Sequence, residues 1–528
     1  MKKILKFLVV PGLIVGMSAC TDLTETLQGD ITESISVDGI PDPNNNAGGG
    51  PLDGAYSKLR DGSAGHGATY SIQELTTDEM CIAAKGGDWF DGGILIQLHE
   101  HTYTPVHGFI ENAWNHAYGG IAECNNLLGG SLDDNQTAQV RALRAYFYMR
   151  LVDMFGNVRI VTEAGSGAQA PRAEVFDFVE SELLAALGIA EVSTSMDLSA
   201  SPLGTEADAY RINQYAALGL LAKLYLNAEV YRGQAMYDKA AAAASYVIDS
   251  GVYALCDDGC SVTNLGKRAG VETDPDNLTG YAAVFAPNNS GNPEHIFTID
   301  YDEVTGGGMN FSQMNLHYSS QFTWNLDAQP WNGYATLEEF YNSYDDSDGR
   351  KAASFIVGPQ LDFGGSAVLD YASDDDDIQL SYTPSINELQ PNSLREAGAR
   401  PGKYSFQQFG RPDMNNDYVI LRLGEMYLIR AEAMSRMAGD WNVGLDDVNV
   451  IRRRAGASEL PSMTADGFLA ERGREMFQES ARRTDLIRFG KYGDTWWEKP
   501  ASDATKELFP IPQSQIDVSS DLTQNPGY

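Results

Sequence analysis

The chain has 528 residues, 43% of them hydrophobic and 21% charged, a balance that suits a globular body made of one large domain or several units. Lys and Arg number 37 against 73 Asp and Glu, a formal charge of −36, which excludes a nucleic-acid surface, because phosphate recognition needs clustered cations. Beyond the first residues no stretch is long and apolar enough to span a bilayer.

The N-terminus reads as an export signal. Lys2, Lys3 and Lys6 form a basic start, Phe7 to Val15 an apolar run interrupted by Pro11, and Gly16, Ser18 and Ala19 a small-residue approach to Cys20. Met17-Ser18-Ala19-Cys20 resembles a bacterial lipobox, with Met where Leu is more usual. On that reading residues 1–19 are a signal peptide and Cys20 is the acylated first residue. Several acyl chains hold a protein on a membrane, whereas one anchors it weakly. The polar stretch to residue 50, ending in Asn44-Asn45-Asn46-Ala47-Gly48-Gly49-Gly50, reads as a flexible tether, so 20–50 is a lipidated N-terminus and 51–528 the folded domain.

The fold class expected for 51–528 is mainly α: tetratricopeptide-like helix pairs forming a scaffold, with long irregular insertions containing short strands. A first insertion spans about 60–108, rich in Gly, Asp and aromatics. The first helix pair lies near 109–156, with helices at about 109–129 and 137–155. Trp114, Tyr118, Ile121 and Asn125 share one face of the former; Val140, Leu143, Phe147, Leu151 and Met154 form a stripe on the latter, which Gly156 closes. The second pair, near 212–250, has helices at 212–228 and 234–250, and the alanine run Ala240–Ala244 permits close helix packing. A second insertion spans about 256–415. The last group, near 418–489, consists of helices at 418–438, 442–455 and 466–489. The spacing between pairs is too irregular for a simple solenoid.

An exported protein permits disulfides. Cys256 and Cys260 flank Asp257-Asp258-Gly259 and can pair locally, leaving Cys81 with Cys124; four cysteines allow three pairings and the sequence does not choose. A zinc site lacks His at ligand spacing. Asp345-Asp346-Ser347-Asp348-Gly349-Arg350 resembles part of a calcium loop but lacks the later bidentate Glu, so a turn with an Arg–Asp pair is the better reading. Asp374 to Asp377 reads as a solvated loop. No metal or cofactor is expected.

The C-terminal third carries four ordered blocks. They are Tyr418-Val419-Ile420-Leu421-Arg422-Leu423-Gly424-Glu425 continuing to Arg430-Ala431-Glu432-Ala433; Val448-Asn449-Val450-Ile451-Arg452-Arg453-Arg454-Ala455-Gly456; Glu471-Arg472-Gly473-Arg474-Glu475-Met476-Phe477-Gln478-Glu479, continuing through Arg482 to Asp485-Leu486-Ile487-Arg488-Phe489-Gly490; and Leu508-Phe509-Pro510-Ile511-Pro512 with Gln524-Asn525-Pro526-Gly527-Tyr528. Upstream, Arg144-Ala145-Tyr146-Phe147-Tyr148, Phe155-Gly156-Asn157-Val158, Leu221-Ala222-Lys223-Leu224-Tyr225-Leu226 and Pro293-Glu294-His295-Ile296-Phe297 fit the same pattern. Together they resemble the SusD/RagB family of outer-membrane lipoproteins. Read as residues alone, the charges at 422, 425, 472, 475 and 479 lie on apolar-striped helices and form interhelical ion pairs. Arg472, Arg474, Arg482 and Arg483 stand ready to neutralise Glu475 and Glu479, so these two carboxylates are not a catalytic pair. The two prolines of 509–512 stiffen a segment that pins the tail to the body.

The resemblance implies a surface-exposed outer-membrane protein, lipid-anchored and facing the cell exterior. It implies a lid over a SusC-like TonB-dependent transporter that delivers a nutrient, an oligosaccharide or polysaccharide by preference, without covalent chemistry. Peptides or other solutes handled in the same way, or a glycan-degrading enzyme, are the alternatives; no Gly-x-Ser-x-Gly elbow, zinc-protease His pair or phosphate loop appears. A scaffold that binds protein only is a further one. Sugar rings stack on aromatic faces and their hydroxyls bond short polar side chains. Candidate ligand residues are therefore Trp89 and Phe90 in the glycine-flanked loop Lys85–Gly93, the cluster Trp324, Trp331, Asn332 and Tyr334, and Asp78, which lies where the family often has a polar residue near its ligand. Trp496 and Trp497 are expected to pack after the last helix or to meet the transporter.

Overall fold

The computed structural model describes residues 50–162, 167–373 and 377–528. Cys20, the tether up to residue 49 and Asp374–Asp376 lie outside the described residues.

The frame is a row of antiparallel helices. Helix α1 (Gly108–Leu128) packs on α2 (Asp134–Met154), α2 on α3 (Arg172–Leu187), and α3 on α4 (Gln214–Leu226). Helix α4 packs on α5 (Tyr237–Asp249), α5 on α6 (Leu423–Ala438), and α6 on α7 (Leu445–Arg454). Helices α8 (Ala465–Met476) and α9 (Arg482–Arg488) complete it. The chain is thus mainly helical, and its strands are short.

Local chemistry sets the ends and the spacings. Asp133 and Gln136 form a reciprocal capping box that opens α2, and the Asn213 carboxamide accepts from the Ala216 N–H at 2.8 Å to open α4. A Cβ on Gly120 would lie 2.4 Å from the Phe147 ring, so only glycine lets α1 approach α2 this closely. Ala240, Ala241, Ala242, Ala243 and Ala244 are all buried, as their small size predicts for a tight helix contact.

Three expectations need correction. Residues 172–187, left among the irregular stretches, form α3, opened after Pro171 and ended by Gly188 at φ 71°. The segment at 418–438 begins as a strand: Tyr418–Arg422 pairs antiparallel with His295–Ile299, as its β-branched and aromatic residues favour, before α6 starts at Leu423. Residues 466–489 are two helices, because Gln478 and Ser480 take left-handed backbone at φ 60° and 56°.

Cys256 and Cys260 form a disulfide, whereas Cys81 and Cys124 are separate buried thiols. Cys81 pairs in a strand with Ala335, and Cys124 faces the core from α1, so the remaining pairing does not form. Burial pushes both thiols up to about 12. At the other end of the chain Phe509 and Ile511 are fully buried, and the Asn525 carboxamide donates to the Phe155 and Phe509 carbonyls, fixing the tail as the proline-stiffened segment predicts.

The two insertions meet through very short backbone pairings, including a bridge between Lys85 and Asn392. Met80–Cys81 lies antiparallel to Ala335–Thr336, and the Ala84 N–H donates to the Leu389 carbonyl at 2.8 Å. This brings the loop after Cys81 against the loop before Ala335.

Candidate functional site

The loop Lys85–Gly93 is a tight left-handed excursion. Trp89 and Asp91 have φ of 62° and 43°, and Gly92 and Gly93 follow at 68° and 83°. Such backbone strains a non-glycine residue and persists only where the surroundings hold it. Here they do. The Lys85 N–H donates to the Asp88 carbonyl at 2.8 Å, and the Tyr318 hydroxyl donates to the Asp88 carboxylate at 2.6 Å. The Trp89 indole N–H donates to the Trp331 carbonyl at 2.5 Å. A Cβ on Gly333 would lie 2.8 Å from the Trp89 ring, so the glycine makes room for the indole.

Behind the indole stands a buried aromatic and polar support. His66 meets Trp89 edge-on at 5.4 Å and Phe109 at 5.0 Å. Its Nδ1 lies 3.0 Å from the Tyr334 hydroxyl, which is also 2.7 Å from Ser71 Oγ. Burial pulls the His66 imidazole down to about 4, so it is neutral at ordinary pH.

The structure sorts the expected ligand residues. Phe90 is 46% exposed, Trp331 51% and Trp89 partly so, and the Trp89–Trp331 hydrogen bond brings the two stretches that carry them together; these three are termed the ridge. Asn332 and Tyr334, expected at the ligand, are buried instead. Asn332 turns the chain at φ 61° and donates to the Arg395 carbonyl at 3.0 Å, while Tyr334 anchors the support through its hydroxyl. Trp324 is half-buried and packs edge-on against Phe406 at 5.3 Å. Asp78 is held by Arg482 through two bonds of 2.7 Å, an ion pair that ties the first insertion to α9. Trp496 and Trp497 pack on a small cluster containing Cys81, Ile386 and Leu389.

Sequence reasoning missed Tyr318 and His66, and also Phe322, Tyr371 and Phe409, which are all more than half exposed. Phe409 precedes Gly410, and Phe363, which packs on it, precedes Gly364-Gly365. The glycine-flanked ring that singled out Trp89 was therefore available for them too.

The carboxylates of α8 belong to a different structure, a buried ion network. Arg422 pairs with Glu294 at 2.9 Å, Glu475 at 2.6 Å and Glu479 at 2.7 Å. Arg350 pairs with Asp348 and Glu471 at 2.7 Å and with Glu475 at 2.9 Å, and Arg454 joins Glu294 and Glu475. The surrounding guanidinium groups hold Glu475 down to about 2 against the opposing effect of burial, and Glu479 is also lowered. Both are fixed carboxylates at neutral pH, unlike a general acid, whose pKa must be raised. In the calcium-like stretch, Asp348 caps a helix and pairs with Arg350.

Comparison with known proteins places these features. Residues 398–528 match the SusD family, and residues 57–226 match a family described as starch-binding and associating with the outer membrane. The chain is 26% identical to the starch-binding protein SusD of Bacteroides thetaiotaomicron, covering 94% of this chain and 90% of that one. It is 24% identical to SusD-like protein P2 of Formosa agariphila, covering 84% and 85%. Among solved structures, a SusD superfamily protein of Parabacteroides distasonis superposes with a TM-score of 0.68 at 20% identity, over 93% of this chain and all of that one (100%). Surface glycan-binding protein A of Bacteroides thetaiotaomicron, in complex with laminarihexaose, gives 0.65 at 20% identity, over 92% and 99%.

Proposed function

The chain belongs to the SusD family, and from that premise we propose that it captures a glycan noncovalently on the ridge of Trp89, Phe90 and Trp331. The observation that carries this reading is two large exposed rings, Phe90 and Trp331, on loops joined through Trp89, whose indole is held by the Trp331 carbonyl and packed on His66. Exposed aromatic faces stack on the apolar face of a pyranose, and a ring already fixed in place loses little entropy on doing so. Asn332 and Tyr334 position the ridge from behind, and Asp78 and Trp324 brace the insertions that carry it.

In this reading the protein is an outer-membrane lipoprotein, acylated at Cys20 and facing the exterior, that delivers its ligand as a lid to a SusC-like TonB-dependent transporter. The family descriptions, which pair starch binding with the outer membrane, support it. Binding without hydrolysis is supported by Glu475 and Glu479, the carboxylate pair that could suggest catalysis, being neutralised by arginine and sealed inside.

The test is affinity electrophoresis and calorimetry of the purified protein with starch, laminarin and their oligosaccharides. Retardation that Trp331→Ala abolishes is the expected result. Release of new reducing ends during incubation would overturn pure capture. Binding of peptides with no polysaccharide affinity would move the ridge to another class of solute.

A further inference from the structure

A second group of exposed aromatics begins on the short helical turns Tyr318–Ser320 and Gln321–Trp324. Tyr318, at their start, holds the Trp89 loop through Asp88. Phe322, further along, is 51% exposed and meets Tyr371, 53% exposed, edge to face at 6.3 Å. The Phe363 N–H donates to the Phe322 carbonyl at 3.3 Å, and the Phe363 ring meets Phe409, 62% exposed, edge to face at 5.6 Å. Leu369 and Asp362 close a cleft of about 650 Å³ beside Phe322 and Tyr371. That is within the roughly 300–1,000 Å³ of small-molecule sites.

The backbone that carries these rings is held by hydrogen bonds. The Tyr371 N–H donates to Ser319 Oγ at 3.3 Å, the Phe363 carbonyl accepts from the Gly270 N–H at 2.9 Å, and the Asp362 carboxylate caps the turn at Ser366 at 2.8 Å. An edge-to-face pair half in solvent covers one ring face and leaves others open, and such a concentration of exposed rings fits a binding surface.

Charge selects the occupant. Asp362 lines the cleft, and the nearby cations are matched: Arg268 with Asp274 at 2.8 Å, Lys267 with Asp276, and Arg411 with Asp327 at 3.8 Å. Arg395, beside Tyr318, stands among Asp88, Asp370 and Glu396. A uronate or sulfate would meet repulsion here, whereas a neutral pyranose offers an apolar face and hydroxyl donors to the acids.

We propose that the cleft of Phe322 and Tyr371 is a second sugar-stacking subsite, and that the ligand is an uncharged polysaccharide long enough to lie across both this cleft and the Trp331 ridge. The inference rests on the glycan-capture reading and narrows it to ligand class and length. Tyr318, which bonds the Trp89 loop through Asp88, lies on the same pair of short helical turns as Phe322, and this link is the route we assign to a single chain.

Calorimetry with disaccharides and hexasaccharides of starch and laminarin, and affinity gels of both polymers and of alginate, test it. Wild type is expected to bind the neutral polymers and not alginate, with hexasaccharides held more tightly than disaccharides. Phe322→Ala with Tyr371→Ala should weaken hexasaccharide binding about tenfold, at about a factor of three for each lost stacking contact. Disaccharide binding and the unfolding midpoint should stay unchanged. Tyr371→Ser alone, a milder change on an exposed ring, should show the same direction. Unchanged hexasaccharide affinity in these variants, with Trp331→Ala still inactive, overturns the second subsite and leaves glycan capture standing. Retention by alginate overturns the uncharged class. If the variants keep full glycan affinity but no longer co-purify with the transporter, the cleft is a protein contact and the subsite falls. Failure of wild type to bind any polysaccharide overturns both readings.

Discussion

In the C-terminal helices a set of charged side chains turns inward and apolar residues seal them; in the insertions a few aromatic side chains turn outward from loops that hydrogen bonds hold. Arg422 and Arg483 are among the largest fully buried side chains, while Trp331, Phe322 and Tyr371 stand in solvent. The inversion separates two tasks. Buried ion pairs add little net stability against well-packed apolar residues, but they demand one arrangement of partners. They therefore specify the frame, and they carry the motifs by which the family is recognised. In the proposed reading the exposed rings carry the ligand chemistry.

The largest expected effect lies in the frame. Arg422→Ala strands Glu294, Glu475 and Glu479 as buried charges, and one such broken pair costs about 3–5 kcal/mol. With several stranded together, the variant is expected to be insoluble or to lack a cooperative thermal transition by circular dichroism. A soluble variant with a wild-type midpoint would show that the network is dispensable.

On the insertion side the comparison predicts loss of binding without loss of stability. Trp331→Ala removes an exposed ring and should cost about 2 kcal/mol of glycan affinity, roughly thirtyfold, with an unfolding midpoint within about a degree of wild type. Calorimetry and a thermal melt on the same sample read both quantities. A smaller effect is expected one layer behind. Tyr334→Phe deletes the hydroxyl shared by His66 and Ser71 and should cost about 1–2 kcal/mol of stability by urea denaturation. It should also weaken binding several-fold, because the support of Trp89 loosens. If binding falls as far as in Trp331→Ala, Tyr334 touches the ligand.

The two regions differ equally in how far the sequence discloses them. The apolar spacing of Val140, Leu143, Phe147 and Leu151 marks α2 directly, and the alanine run marks the α5 contact. The spacing of Val175, Val179, Leu183 and Leu187 in α3 is as regular but sits between irregular stretches, where it is easily passed over. The break between α8 and α9 depends on left-handed backbone at Gln478 and Ser480, and neither residue type is among those that favour positive φ. The site is harder still. Trp89 and Trp331 lie 242 residues apart and meet because strands of two residues each, Met80–Cys81 and Ala335–Thr336, pair. Alternation over two residues is below any detectable period. Residue type pointed to exposed rings, but only packing shows that Tyr334 faces inward and Trp331 outward.

The smallest expected effect joins the two regions. Glu74 and Glu79 lie buried on the stretch that carries the first insertion, facing Lys403, Arg482, Asp78 and Glu479 of the frame and its surroundings. Desolvation outweighs these cations and raises Glu74 to about 8, with Glu79 also raised well above the ordinary carboxylate range. An unfolded Glu gives up its proton near 4.5, whereas the folded protein keeps it on Glu74 until about 8. Over that window the folded state binds more protons, so this contribution to stability is fully present below about 4.5 and is lost as pH rises through about 8. Glu471 and Glu475, held down to about 2, act in the opposite sense: their contribution is present above about 4.5 and is lost as pH falls through about 2. Stability should therefore decline from mildly acidic to mildly alkaline pH because of the insertion, and collapse in strong acid because of the frame. Glu79→Gln, a neutral isostere of the protonated acid, should be near wild type at about pH 5 and more stable by about 1 kcal/mol at about pH 8.5 in urea denaturation. Equal stability of variant and wild type at both pH values would mean that the Glu79 carboxyl does not titrate with folding. A loss at the higher pH would mean that the carboxylate is ionised and paired with Arg482, from which it lies 3.8 Å away.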